Sequence, residues 1–157
     1  MIEIFYKKDG QMMVSQSETD FAIIPKENVI WIDLFTPTGE EKRAVESYLG
    51  TTIQNRAQAE EIEISSRFSE TEHAIFANTS FLIPGPDEYN EETVSVILAG
   101  DILTTLRECP LKSFTDLQRR LMAFPKMYDS GHVAFLSILE QRIDLDADMV
   151  ELISKEI

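Results

Sequence analysis

The pattern of apolar and polar residues in the first third of the chain predicts strands. Residues 2–6 and 11–15 are predicted strands, and the Asp9-Gly10 pair between them indicates a tight hairpin turn. Residues 28–35 form a further predicted strand. Its run from Val29 to Ile32 is continuously apolar, which is typical of a strand buried on both faces.

Helix signals follow this strand. Thr38 and Glu41 have the spacing of a capping box, and Gly50 supplies the left-handed cap, so a helix is predicted between them. Its inner face would carry Ala44, Val45, Tyr48 and Leu49. A second helix is predicted over residues 55–64, with Ala59 and Ile62 turned inward.

The middle of the chain returns to a strand pattern. Strands are predicted over residues 73–83, 93–99 and 102–107, the last two joined by a turn at Gly100-Asp101. A third helix is predicted over residues 113–124, and Pro125 ends it.

The last segment predicts a long helix with a sustained apolar seam. Apolar residues recur every three or four positions, as in a heptad pattern: Leu136, Leu139, Ile143, Ala147, Val150, Ile153 and Ile157. The seam would pack either against this domain or against a copy of it. Since no cap or stop signal precedes Ile157, we expect a helix truncated from a longer one; the alternative is a natural terminal helix that frays.

Composition narrows the class of protein. The chain has 157 residues, enough for one domain with a core, and 28 acidic residues against 14 basic, a net charge of −14. Such a surface disfavours nucleic acid and anionic lipid and concentrates cations. A single cysteine, Cys109, allows neither an intrachain disulfide nor a thiolate zinc cluster, which fits a cytosolic protein. The sequence shows no signal peptide, and no stretch approaches the roughly 20 apolar residues of a membrane span.

Enzyme chemistry is not indicated. The two histidines, His73 and His132, lie far apart in different predicted elements, and we expect both at the surface. None of the common hydrolase, nucleotide-binding or zinc-protease motifs occurs, and Cys109 is expected to be inert.

Carboxylates are the notable chemical feature. On the last helix, Glu140, Asp144 and Asp148 are four residues apart, so they would form one column of negative charge. A bound divalent cation would relieve their repulsion, and Mg²⁺ suits a weak, hydrated carboxylate site. The alternative is a solvated acidic face. The same two interpretations apply to the acidic group Glu60, Glu61 and Glu63.

Several segments, in order along the chain, resemble the CorA family of divalent-cation transporters. Trp31-Ile32-Asp33-Leu34-Phe35-Thr36-Pro37 is similar to the opening of the family's cytosolic domain. Three later segments resemble its acidic helix with a terminal Ser-Arg pair, its apolar-Thr-apolar-Arg strand and the start of its stalk helix: residues 60–67, 102–107 and 136–151.

The resemblance implies a fold and a division of the chain. The fold would be an α/β/α sandwich with a mixed parallel and antiparallel central sheet, followed by the start of a long stalk helix. Residues 1–130 would be the cytosolic domain, and residues 131–157 the stalk helix packed on it. The family's Gly-Met-Asn pore loop and both membrane helices are absent from this sequence.

The resemblance also implies a function. Family members are homopentameric transporters of Mg²⁺, with Co²⁺ or Ni²⁺ as further ions, and divalent ions bound between cytosolic domains keep the pore shut. The regulatory metal ligands would be Glu60 or Glu61, together with Glu63, Asp144 and Asp148. The domain would lie on the cytoplasmic side of the inner membrane and reach the membrane only through the missing helices. Two alternatives stay open, a zinc-transporting relative of the same fold and a stand-alone soluble interaction module.

Overall fold

The computed structural model describes residues 1–53, 68–70, 74–84 and 89–142. Within these ranges seven strands form one sheet. The strands are β1 (Ile2–Lys8), β2 (Gln11–Ser15), β3 (Val29–Phe35), β4 (Phe68–Glu70), β5 (Ala74–Pro84), β6 (Tyr89–Ala99) and β7 (Ile102–Arg107). Their order across the sheet is β2-β1-β3-β7-β6-β5-β4. Strands β3 and β7 pair in parallel, whereas the other neighbours pair antiparallel, so the predicted mixed sheet is confirmed.

Helices cover both faces of this sheet. Helix α1 (Gly39–Leu49) places Val45 in a core with Ile2, Ile4 and Ile32. On the other face, α2 (Lys112–Ala123) and α3, which begins at residue 131 and runs to residue 142 where the description stops, pack in a second core. That core includes Phe5, Trp31, Phe114, Leu117 and Ile138. The predicted α/β/α sandwich is confirmed.

Local signals account for the first hairpin and the first helix. Asp9 and Gly10 have φ of 54° and 78°, the left-handed pair that a two-residue hairpin turn requires. Thr38 accepts a hydrogen bond from the Glu41 backbone N–H (3.1 Å), and the Glu41 carboxylate accepts one from the Thr38 N–H (2.9 Å), which is the predicted capping box. Gly50 ends the helix at φ 71°.

Strand β3 lies at the centre of the sheet. Residues Val29 to Leu34 are buried, as the continuous apolar run predicted. From Trp31 onward the side chains alternate between the two cores, Trp31 facing α2 and Ile32 facing α1. Ile30, at the register shift between β1 and β3, lies in the same core as Trp31.

Other elements depart from the predicted ones. The short edge strand β4 and three 3₁₀ turns (Glu18–Ala22, Lys26–Asn28 and Pro125–Met127) were not predicted. Strand β6 begins at Tyr89 rather than at residue 93. The helix predicted over residues 55–64 lies outside the described residues.

Helix α3 starts directly on the backbone of β7. The Gly131 N–H donates to the Asp101 carbonyl at 2.6 Å. A Cβ at residue 131 would approach the Ile102 carbonyl carbon to 2.7 Å and the Asp101 oxygen to 2.8 Å. Only glycine permits this close approach, which fixes where α3 crosses the sheet.

Candidate functional site

The five predicted metal ligands are outside the part of the chain that the structure describes: Glu60, Glu61, Glu63, Asp144 and Asp148. The structure therefore neither brings them together nor separates them. Among the described residues, no group of three or more histidine, cysteine, aspartate or glutamate side chains is arranged to hold a metal ion.

The residues that flank the two acidic segments are described. Phe68, just after the first segment, pairs with Ala77 of β5. Arg142, just before the second, places its guanidinium 5.4 Å from the ring centroid of Phe81, also on β5. Ala77 and Phe81 are four residues apart on β5, which corresponds to about 13 Å along the strand. The described residues that flank the two acidic segments therefore contact the same strand.

Helix α3 has a buried face and an exposed apolar stripe. Ala134 and Ile138 lie fully in the core against the sheet. Val133 and Leu136 lie on the other side, and their side chains are 37% and 59% exposed. The first residue of the predicted heptad seam, Leu136, is therefore turned away from the domain to which the helix belongs.

The buried face of α3 becomes polar at its end. Ser137 shares a hydrogen bond of 3.1 Å with the Tyr128 hydroxyl. One turn later Gln141 is buried, and neither its amide nitrogen nor its oxygen has a hydrogen-bond partner among the described residues. An unsatisfied buried polar group typically costs about 1–3 kcal/mol. The docking of α3 is consequently weaker at Gln141 than at Ile138.

A buried polar network joins β3 to β7 on the α2 face. The Arg107 guanidinium donates to both Asp33 carboxylate oxygens. Its Nη2 lies 2.8 Å from Oδ2, and its Nε lies 3.2 Å from each of Oδ1 and Oδ2. Thr105 donates to Asp33 at 2.9 Å and accepts from the Trp31 indole at 3.0 Å. All four residues are buried.

Arg107 is enclosed on its remaining sides. Its guanidinium carbon lies 4.7 Å from the Phe35 ring centroid and 5.1 Å from that of Phe114, and Nη1 donates to the Cys109 carbonyl at 2.8 Å. Sequence reasoning missed this pair. The available signal was an aspartate within the apolar β3 run and an arginine closing the β7 run. A charge that is buried, paired and hydrogen-bonded in this way is suited to holding two strands together, not to proton transfer.

Glu3 lies beside this network, opposite Asp33 in the strand pairing. Burial raises the pKa of the Glu3 carboxyl, and the Asp33 charge adds to the rise, while the Gln118 hydrogen bond (3.2 Å) and Arg107 oppose it. Glu3 therefore retains a proton more readily than an exposed glutamate.

The remaining candidates for chemistry offer little. His132 is exposed, Cys109 is partly buried, and His73 lies outside the described residues. In the part of the chain that the structure covers, no helix has the length and apolar character of a membrane span.

Comparison with known proteins identifies relatives along almost the whole chain. Residues 26–157 match the family described as "CorA-like Mg2+ transporter protein". The magnesium transport protein CorA of Wolinella succinogenes is 31% identical over 161 residues, covering 99% of this chain and 50% of its own length. The chain thus spans about half the length of this relative.

Solved structures share the fold. The full-length CmaX protein matches with a TM-score of 0.74 at 12% identity, covering 99% of this chain and 49% of that one. The soluble domain of CorA from Methanocaldococcus jannaschii matches with a TM-score of 0.58 at 16% identity, covering 99% and 64%. With the family match extending from residue 26 to residue 157, this chain belongs to the CorA-like Mg²⁺ transporter family.

Proposed function

We propose that this chain is the cytosolic metal-sensing domain of a CorA-type divalent-cation transporter, and that it is not an enzyme. Its relative in Wolinella succinogenes is named a magnesium transport protein, and this chain spans half of that protein's length. The ion-conducting, membrane-spanning part of the proposed transporter therefore lies outside this chain. In this proposal the domain lies on the cytoplasmic side of the membrane.

The exposed apolar stripe on α3 is the observation that carries the proposal. The helix already buries Ala134 and Ile138 in its own domain, yet Leu136 is 59% exposed. A helix with a second apolar stripe is suited to packing against another helix of the same kind. The domain therefore associates with copies of itself through α3, as a pentamer in the full-length protein.

Metal sensing follows from acidic residues at such an interface. The proposed ligands are Glu60, Glu61, Glu63, Asp144 and Asp148. In neighbouring subunits their like charges repel when no ion is bound. Mg²⁺ bridging them favours the closed, symmetric ring. Each site stabilises the closed ring by RT ln(1 + [L]/Kd). This is about 0.4 kcal/mol when the Mg²⁺ concentration equals Kd and about 1.4 kcal/mol when it is tenfold higher than Kd. Five equivalent sites of millimolar affinity are thus enough to shift the ring between states.

Mg²⁺-dependent assembly tests this proposal. Sedimentation velocity of the chain in EDTA and across millimolar Mg²⁺ should show a shift to a larger species. Combining Asp144→Asn with Asp148→Asn should abolish that shift. Glu27→Gln, at an exposed carboxylate on the 3₁₀ turn before β3, is the control and should respond like the unaltered chain. An equal response in the double variant would overturn the metal assignment. Preference for Zn²⁺ over Mg²⁺ would indicate a different ion.

The proposal that the chain belongs to a transporter is tested on the native protein. An antibody against this domain should detect a band well above 17.9 kDa in the membrane fraction of the source cells. A soluble band at 17.9 kDa would instead identify a stand-alone module and end the transporter proposal.

A further inference from the structure

Strand β2 forms one edge of the described sheet and pairs there with β1 alone. Lys8 and Gln11 flank the two-residue turn and pair with each other, so the bonds to β1 fall on Gln11 and every second residue after it. Met12 and Val14 therefore direct their backbone N–H and C=O groups towards the open edge. Such an edge can accept a further strand.

An apolar groove runs beside this edge, between β2 and α2. Its volume is about 550 Å³. Phe5, Val14 and Met122 provide its apolar lining, and Glu3, Gln118 and Arg119 its polar lining. Val14 is 42% exposed and Met122 49% exposed. These two side chains thus offer apolar surface at the position where an added strand would lie.

The lining of the groove includes one basic and one acidic residue, Arg119 and Glu3. Arg119 is exposed, whereas Glu3 is partly buried and accepts a hydrogen bond from Gln118 at 3.2 Å. The charge that the groove presents to solvent is therefore mainly that of Arg119. Charge complementarity therefore favours an acidic ligand at the rim.

We propose that β2 and this groove dock an extended, acidic and apolar segment of another protein, which adds to the sheet beside β2. Main-chain hydrogen bonds to Met12 and Val14 would supply affinity, and side chains on one face of the added strand would supply specificity. One of these enters the groove against Val14 and Met122. The side chain two residues along, on the same face, is acidic and reaches Arg119.

Binding of short peptides to the whole chain tests the proposal. The probe is an array of seven-residue peptides with leucine, valine, phenylalanine or methionine placed two positions from aspartate or glutamate. We expect binding by fluorescence anisotropy, with amide shift changes in residues 11–15 and 118–123. A matched array with lysine in place of the acidic residue should bind at least about tenfold more weakly.

Three variants localise the binding. Arg119→Glu should weaken it at least about tenfold, and Val14→Pro should abolish it by removing an outward N–H that β1 does not use. Arg43→Glu makes the same charge change on exposed α1, across the sheet, and should leave binding unchanged. Since Arg119 is exposed, Arg119→Glu decides the test if Val14→Pro fails to fold.

Other results would overturn the proposal. No binding to the acidic array, or equal binding to Arg119→Glu and Arg43→Glu, would do so. Self-association of the chain that Val14→Pro removes would make the occupant a second copy. Binding to phosphatidylglycerol vesicles that the peptides do not displace would make it a lipid surface.

Discussion

Among single residues, Asp33 and Arg107 form the pair whose disruption should cost the most folding stability. Their side chains are 1% and 9% exposed, so both charges have lost most of their water. Bidentate hydrogen bonding and the rings of Phe35 and Phe114 compensate for that loss only while both partners are present. The pair also spans β3 and β7, the parallel strands at the centre of the described sheet.

Removing one partner of this pair should destabilise the fold strongly. We expect Asp33→Leu and Arg107→Met each to lower the free energy of unfolding by about 3–5 kcal/mol, because an unpaired charge stays buried. The double variant should recover most of the loss. Urea denaturation measures all three. Lys7→Met, which breaks the exposed 3.4 Å bridge to Asp129, is the control and should cost about 0–1 kcal/mol. A double variant as unstable as the sum of the two would contradict this account.

Glu3 should make the stability depend on pH. Its pKa in the folded state is raised above 4.5, chiefly by burial and then by Asp33, so the native state binds the proton more tightly than the unfolded chain. Ionised Glu3 therefore destabilises the fold at pH values above its folded-state pKa. This destabilisation decreases as the pH falls and is absent below 4.5, the ordinary pKa of a glutamate. Glu3→Gln should raise the melting temperature at pH 7 and lose this advantage at acidic pH. An advantage that is the same at every pH would show that packing, not ionisation, is responsible.

At the scale of elements, the position of α3 depends on one backbone contact. The helix begins against the turn-proximal end of β7, and Gly131 makes the contact with the Asp101 carbonyl. The helix is then held by Ala134 and Ile138, while Gln141 is buried without a hydrogen-bond partner in the part of the chain that the structure describes. Its N-terminal end is consequently the firmly docked part among the residues described.

Gly131→Ala should displace this helix start. The added methyl would meet backbone atoms of Asp101 and Ile102, which cannot move as a side chain can. We expect a loss of about 3 kcal/mol or more in thermal or urea unfolding, at the upper end of overpacking effects. The matched control is Gly39→Ala, whose Cβ would face the flexible side chain of Arg43 at 3.2 Å and should be tolerated. Equal effects at the two glycines would refute the docking argument.

Elements with local signals were predictable from the sequence, and those that depend on distant partners were not. The Asp9-Gly10 turn and the Thr38–Glu41 box each specify their own geometry. The Asp33–Arg107 pair joins residues 74 positions apart and needs the parallel register of β3 and β7. Edge strand β4 has three residues, too few for a periodic pattern, and its position follows from pairing with β5.

For the molecule as a whole, the sequence predicted which residues could bind a cation but not where in the fold they would lie. Spacing of carboxylates on a helix indicates where repulsion would arise, and so the residues Asp144 and Asp148 could be proposed from sequence. The sequence could not show which face of α3 is exposed, because Leu136 and Ile138 are both apolar. The position of Gly131 on β7 sets the rotation of the helix, so Ile138 enters the core and Leu136 does not.

The exposed position of Leu136 allows the proposed interface to be altered without altering the core of the domain. If copies of the chain associate through the exposed stripe, Leu136 is buried there, and burial of a leucine contributes about 1.5–3 kcal/mol. Leu136→Glu should therefore dissociate the assembly in sedimentation velocity while leaving the melting temperature of the monomer unchanged, because glutamate is also a good helix former. Ile23→Glu removes a more exposed apolar side chain, 77% exposed and distant from α3 in sequence, and should leave the assembly intact. An unaltered chain that stays monomeric at all concentrations and Mg²⁺ levels, or equal dissociation by both variants, would exclude α3 as the interface.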